Sequence, residues 1–191
     1  MQSAFRSRDL VKIIAVVQIL LALGGLLLLF ETEFATYEVS YRHTDLYGDY
    51  VYHSYDTIRI WYNENAAMWL VTAGFIVLFV YIALFGFRLS KLSPGQSVAK
   101  YYKSTMVLGL LVIVLSAVAA AVAFITRADA VAVDGLPSGY KDVSWSLGTA
   151  LTSFLVGGFL FVVIGFIGPR ITRLAQAPPP PPPLLPPPPP P

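Results

Sequence analysis

Four runs of this chain carry no charged residue: 13–30, 66–87, 106–125 and 147–167. They are 18, 22, 20 and 21 residues long. Crossing the hydrocarbon core of a bilayer takes about 20 apolar residues in a helix. A helix is the expected form, because it satisfies its own backbone hydrogen bonds in lipid. A membrane barrel would show alternating strands of about ten residues, and these runs do not alternate. Only 13% of the residues are charged and 56% are hydrophobic, whereas soluble domains carry about 25% charged residues. The first run follows basic residues, as a signal peptide would. It exceeds the usual apolar core of about 7–15 residues, and the "ETEFATYEV" after it offers no small-x-small cleavage site. The reading is an all-α integral membrane protein, a bundle of four transmembrane helices.

Basic residues orient such a bundle, because Lys and Arg collect in short cytoplasmic loops. Arg6, Arg8 and Lys12 lie in residues 1–12; Arg88, Lys91, Lys100 and Lys103 in 88–105; Arg170 and Arg173 in 168–191. These are nine of the 13 basic residues, and Asp9 is the one acid beside them. The loops at 31–65 and 126–146 hold Arg42, Arg59, Arg127 and Lys141 with the other ten acids. Both termini are therefore expected in the cytoplasm, with the two acidic loops outside and the plasma membrane as the location.

The first outer loop contains seven of the eleven tyrosines and both histidines. Residues 36–42 alternate strictly: Tyr37, Val39 and Tyr41 on one face, Thr36, Glu38, Ser40 and Arg42 on the other. Period two marks a half-buried strand, and tyrosine, valine and threonine favour strands. "TDLYGD" around Gly48 reads as a turn. Residues 50–62 are again extended, with Ile58 and Ile60 opposite Arg59 and Trp61. The loop is read as a β-rich hairpin or three-stranded sheet standing on the helices. In the second outer loop, Asp134 and Gly139 bound a turn between two extended pieces of "AVAVDGLPSGYKDVSW". Tyrosine supplies an aromatic body and a polar tip. Tyr37, Tyr41, Tyr50, Tyr52, Tyr55 and Trp61 are thus candidates for the sheet core or for an outer recognition surface. Trp61, Tyr62, Trp69 and Trp145 sit where interfacial anchors belong.

With no cysteine in the chain, disulfides, thiolate catalysis and cysteine–zinc sites are excluded. His43, Asp45, Asp49, His53 and Asp56 are the one cluster resembling a metal site. Zinc needs three or four converging ligands. In a hairpin centred near Tyr47, His43 would oppose Val51 and Tyr41 would oppose His53, leaving the histidines diagonal. The cluster is read as solvated polar residues, and neither a metal nor a cofactor is assigned.

Charged and histidine side chains inside membrane helices mark proton relays and ion paths, and no Asp, Glu, Lys, Arg or His lies in the four runs. Gln18 is the most costly polar residue to bury in lipid, so it is expected to face another helix. Small residues cluster at Gly24 and Gly25, along the third run from Ser116 to Ala123, and at Ser153, Gly157 and Gly158. Small faces let helices approach closely, either within the bundle or against a partner.

On the cytoplasmic side, Ser93, Pro94 and Gly95 make a turn. The tail holds two blocks of six prolines around Leu184 and Leu185, in residues 178–191. Proline fixes φ and lacks an N–H, so these 14 residues favour a polyproline II rod of about 43 Å. Such a rod is read as a low-complexity spacer, with docking in an aromatic-lined groove as the alternative.

Four helices with a β-rich first outer loop resemble the layout of claudins and their tetraspan relatives over most of the chain. The claudin signature, Gly-Leu-Trp with two cysteines in that loop, is absent; "TIRIWY" offers Trp61 alone. The resemblance is one of topology and implies no claudin function.

Two function classes follow. One is a non-catalytic accessory or scaffold subunit of a larger membrane or cell-envelope assembly, suggested by small faces, missing catalytic groups and the tail. The other is a cell-surface recognition or adhesion protein acting through the tyrosine-rich sheet. Expected partners are the lipid bilayer and other membrane subunits or a second copy. A cytoplasmic polyproline-binding protein is a further candidate, and nucleic acid is not expected.

Overall fold

The computed structural model describes residues 2–44, 50–91, 99–133 and 141–176, and the side chains of 11–40, 57–91, 100–126 and 144–171. The turns expected around Gly48, at Ser93–Pro94–Gly95 and between Asp134 and Gly139, and the proline tail, lie outside these residues.

Four helices dominate: α1 (Gln2–Glu31), α2 (Ala66–Ser90), α3 (Ala99–Val133) and α4 (Thr149–Gln176). Each contains a span long and apolar enough to cross a membrane: Val11–Glu31, Ala66–Ser90, Lys100–Thr126 and Thr149–Ile171. Their outer faces carry large exposed apolar side chains such as Leu27, Leu70, Val77 and Phe159. A surface of that kind is compatible with a membrane-spanning bundle, since soluble monomers rarely expose contiguous apolar patches beyond a few hundred Å².

The helices form a ring in which α1 packs on α2, α2 on α3, α3 on α4 and α4 on α1. The centre is aromatic. Phe75 and Phe79 of α2 meet Phe154 of α4 at ring-centroid distances of 4.8 and 5.0 Å, and Phe34 caps the stack 6.2 Å from Phe75.

Helix α2 starts where Asn65 accepts the Met68 N–H on its side-chain oxygen at 2.9 Å, an N-cap that satisfies one of the otherwise unpaired first-turn donors. At the other end of the preceding helix, the Thr32 hydroxyl donates back to the Leu28 carbonyl at 2.8 Å. The chain then leaves α1 for the sheet.

Three strands, β1 (Ala35–Thr44), β2 (Tyr50–Ile60) and β3 (Lys141–Leu147), form an antiparallel sheet in the order β2-β1-β3. The expected alternation holds where side chains are described: Tyr37 and Val39 are buried, and Glu38 is exposed. Ile60 is buried and Arg59 exposed, as the second strand requires.

Three expectations need correction. The hairpin register is one residue from the expected one: Tyr41 pairs with Ser54, His43 with Tyr52, and His53 with Arg42. A register shift between His43 and Thr44 accompanies it. The second loop contributes one strand rather than two extended pieces, because α3 continues through Val133. Alanine and valine in a rigid helix cost little when the preceding turns already run as helix. Leu147, placed at the start of the fourth run, is the last residue of β3.

Candidate functional site: a crevice between the first and fourth helices

The α1–α2 and α3–α4 pairs are set by glycines. A Cβ on Gly25 would lie 2.7 Å from the Phe79 ring, so the missing side chain is what seats Phe79. A Cβ on Gly86 would come within 3.0 Å of the Ala15 carbonyl. On α4, Gly158 faces Gly109 and Ile113 of α3, Gly165 faces Met106, and the ring of Tyr102 occupies the space over Gly168.

Gly24 and Gly157 differ from these. No atom of the described residues lies within 4 Å of a Cβ built on either. Both line a crevice of about 150 Å³ between α1 and α4. Phe79, Phe154 and Phe161 form part of its floor, and Ser153 lies one turn from Gly157 on its wall. Leu20, 62% exposed, stands at its rim. The small residues Gly24, Gly25, Ser153, Gly157 and Gly158 that the sequence pattern singled out are thus brought together along one crevice. They do different things there: Gly25 and Gly158 bring helices into contact, and Gly24 and Gly157 leave room. Adjacent helical residues point about 100° apart, so a glycine pair cannot put both members on one contact.

The lining contains no titratable side chain, and the Ser153 hydroxyl is its one polar side-chain group. The arrangement is suited to holding an apolar group. A dry apolar cavity near 150 Å³ accepts a group the size of benzene, which is also the scale of one leucine or phenylalanine side chain.

Gln18 is fully buried and faces another helix. Its Nε2 donates to the Thr105 hydroxyl at 2.8 Å, and that hydroxyl donates to the Tyr101 carbonyl at 3.0 Å. Among the described residues, the Gln18 Oε1 has no hydrogen-bond partner. Thr105 lies one residue before the third apolar run, and the i−4 back-bond of a threonine beside a membrane helix is the signal that points to it.

At the sheet end, Tyr37 is 3% exposed and donates to the Phe124 carbonyl of α3 at 2.8 Å. Burial pushes its phenol pKa up. Tyr37 pairs with Ile58 on one side and Trp145 on the other, and Trp145 packs edge-on against Phe124. Tyr62 meets Phe30 and Trp69 edge-on, at 5.0 and 5.4 Å. Trp61 is half-buried just past β2. Tyr41, Tyr50, Tyr52 and Tyr55 are strand residues whose side chains lie outside the described set. His43 and His53 stand at adjacent register positions of the hairpin, not at the diagonal positions expected.

The start of α4 is pinned to the start of β1. Gly148 N–H donates to the Phe34 carbonyl at 2.8 Å, and Ala150 N–H to the Glu33 carbonyl at 3.3 Å. A Cβ at Gly148 would overlap the Glu33 backbone, so glycine is required for this approach. The Glu33 carboxylate also accepts the Thr149 hydroxyl at 3.2 Å. Its own backbone N–H, opposed by partial burial and helped by the Thr149 N–H and hydroxyl and by Arg59, holds that carboxyl below its ordinary pKa.

No protein-family model matches this chain, and the comparison with curated proteins found no relative.

Proposed function

We propose that this chain is a non-catalytic accessory or scaffold subunit of a larger membrane assembly, with a bulky side chain of a partner's membrane helix seated in the α1–α4 crevice. The observation that carries this reading is the open space over Gly24 and Gly157. Packing inside the bundle accounts for Gly25, Gly86, Gly109 and Gly158 and leaves these two unused. In lipid, association rests on close packing and small residues rather than on hydrophobic burial, so an unused small-residue surface suits a partner helix. The same reading puts both termini in the cytoplasm of a plasma-membrane protein, following the basic residues.

The test is mild detergent extraction followed by native mass measurement. The expected result is a stoichiometric complex with other membrane chains. Gly157→Leu should release the partner while leaving this chain folded, because the new side chain enters open space. A chain that runs alone and binds an external ligand would favour the recognition reading instead. Orientation is checked with single cysteines: Ser54→Cys should label with an impermeant maleimide in intact cells, and Ser97→Cys should not.

A further inference from the structure

On the opposite side of the ring, residues of α2 and α3 line a groove of about 600 Å³. Lys100, Lys103 and Ser104 line one part of it, and Val107, Leu111, Tyr81 and Phe85 line the rest. The order along α3 is chemical. Both lysines fall in the first turns of the helix, three residues apart and exposed on neighbouring positions. The apolar lining follows one and two turns later. From Lys100 to Leu111 the helix rises about 16 Å, and the hydrocarbon core is about 30 Å thick. The groove is therefore long enough to reach from a cationic mouth along most of the depth of one leaflet.

We infer that this groove binds one anionic phospholipid, with the phosphate between Lys100 and Lys103 and an acyl chain along Val107, Leu111, Tyr81 and Phe85. Charge complementarity selects the occupant: among the described residues, the lining holds two cations and no acid. The positive end of the α3 dipole lies at the same place and adds to the attraction. Ser104 is already engaged, its hydroxyl donating to the Lys100 carbonyl at 3.1 Å, so the two ammonium groups supply the donors. A partner helix would fill the apolar part but leave the two lysines unmatched. A zwitterionic lipid would place its own cation beside them.

The experiment uses the full chain, delipidated in detergent and titrated with phosphatidylglycerol or phosphatidylcholine while native mass spectrometry counts bound lipid. Phosphatidylglycerol should be retained as a single tight adduct, and phosphatidylcholine should not. Lys100→Gln with Lys103→Gln should weaken that adduct about 10- to 30-fold, on the scale of one lysine–anionic-surface attraction per residue. Lys91→Gln, a basic residue outside the groove that rests over the Phe87 ring, should leave it unchanged. Val107→Trp should block the adduct by filling the groove, with circular dichroism confirming the fold. Equal retention of the two lipids would overturn the proposal, as would full retention by the double lysine variant. An equal loss in Lys91→Gln would reduce the effect to general surface charge and would also overturn it.

Discussion

A Cβ placed on Gly109 of α3 would lie 2.5 Å from the Gly158 carbonyl oxygen of α4, and one placed on Gly158 would lie 3.0 Å from the Gly109 carbonyl oxygen. Each glycine is the clearance for the other's backbone. Main-chain atoms cannot rotate away as a side chain can, so even a methyl group forces the helices apart. Gly109→Ala should cost about 1–3 kcal/mol, the scale of overpacking a tight core, and Gly109→Leu more. Gly24→Ala, with open space around it, should change stability by less than about 0.5 kcal/mol. Denaturation in mixed micelles separates the two.

Gln18 and Thr105 make a second contrast. Thr105→Val keeps the shape and removes the acceptor of the Gln18 amide, stranding a buried polar side chain. A loss of about 1–2 kcal/mol is expected. Gln18→Leu removes the amide together with its unpaired Oε1, so it should cost less than Thr105→Val. A double-mutant cycle in detergent gives the coupling, and a larger loss for Gln18→Leu would contradict the arrangement.

Tyr37 combines an apolar body under the sheet with one hydrogen bond to α3. Tyr37→Phe removes the bond alone and should cost about 0.5–1.5 kcal/mol. Tyr37→Ala removes the ring as well and should cost about 3–5 kcal/mol. Protease resistance of the sheet in intact cells reads out both, in that order.

Glu33 gives a pH dependence whose sign is determined. Its carboxyl is held below the ordinary value in the folded chain, so the folded state binds the proton less readily than the unfolded one. The contribution is complete above the unfolded pKa, about 4.3 for a glutamate, and is lost as pH falls through the lower folded value. The group is largely solvated, so the effect is local. Hydrogen exchange at the Thr149 and Ala150 amides should accelerate, relative to its intrinsic rate, as pH is lowered from that unfolded value through the lower folded one. Glu33→Gln should remove that dependence.

The helices and the Tyr37–Val39 alternation were legible because both depend on local pattern: uncharged length for the one and period two for the other. The third strand was only partly legible. Residues 130–133 have strand-like composition, yet they continue a helix already 31 residues long, and propensity yields to a running helix. The hairpin was placed with its register one residue off because the irregularity at His43 and Thr44 has no sequence mark. Small faces were visible on α1 and α4, but which glycine touches a neighbour depends on where the neighbour stands. Gly24 and Gly25 are alike in sequence, and only the position of Phe79 distinguishes them. Gly109, Gly165 and Gly168, each alone among large apolar residues, carried no cluster signal, and they make the tightest helix contacts.

The strand order also has a consequence for biogenesis. The central strand, β1, lies between an immediate chain neighbour and a strand that is synthesised roughly 80 residues after β2 ends. At about 5–20 residues per second, one edge of β1 waits on the order of 4–16 s for its partner. During that interval the hairpin offers unpaired N–H and C=O groups to any passing strand. Arrival of β3 closes the edge and, through Gly148, delivers the first turn of α4 to Glu33 and Phe34. Completion of the sheet and positioning of the last helix are therefore coupled, and a chain stalled before residue 141 would keep that edge of β1 open.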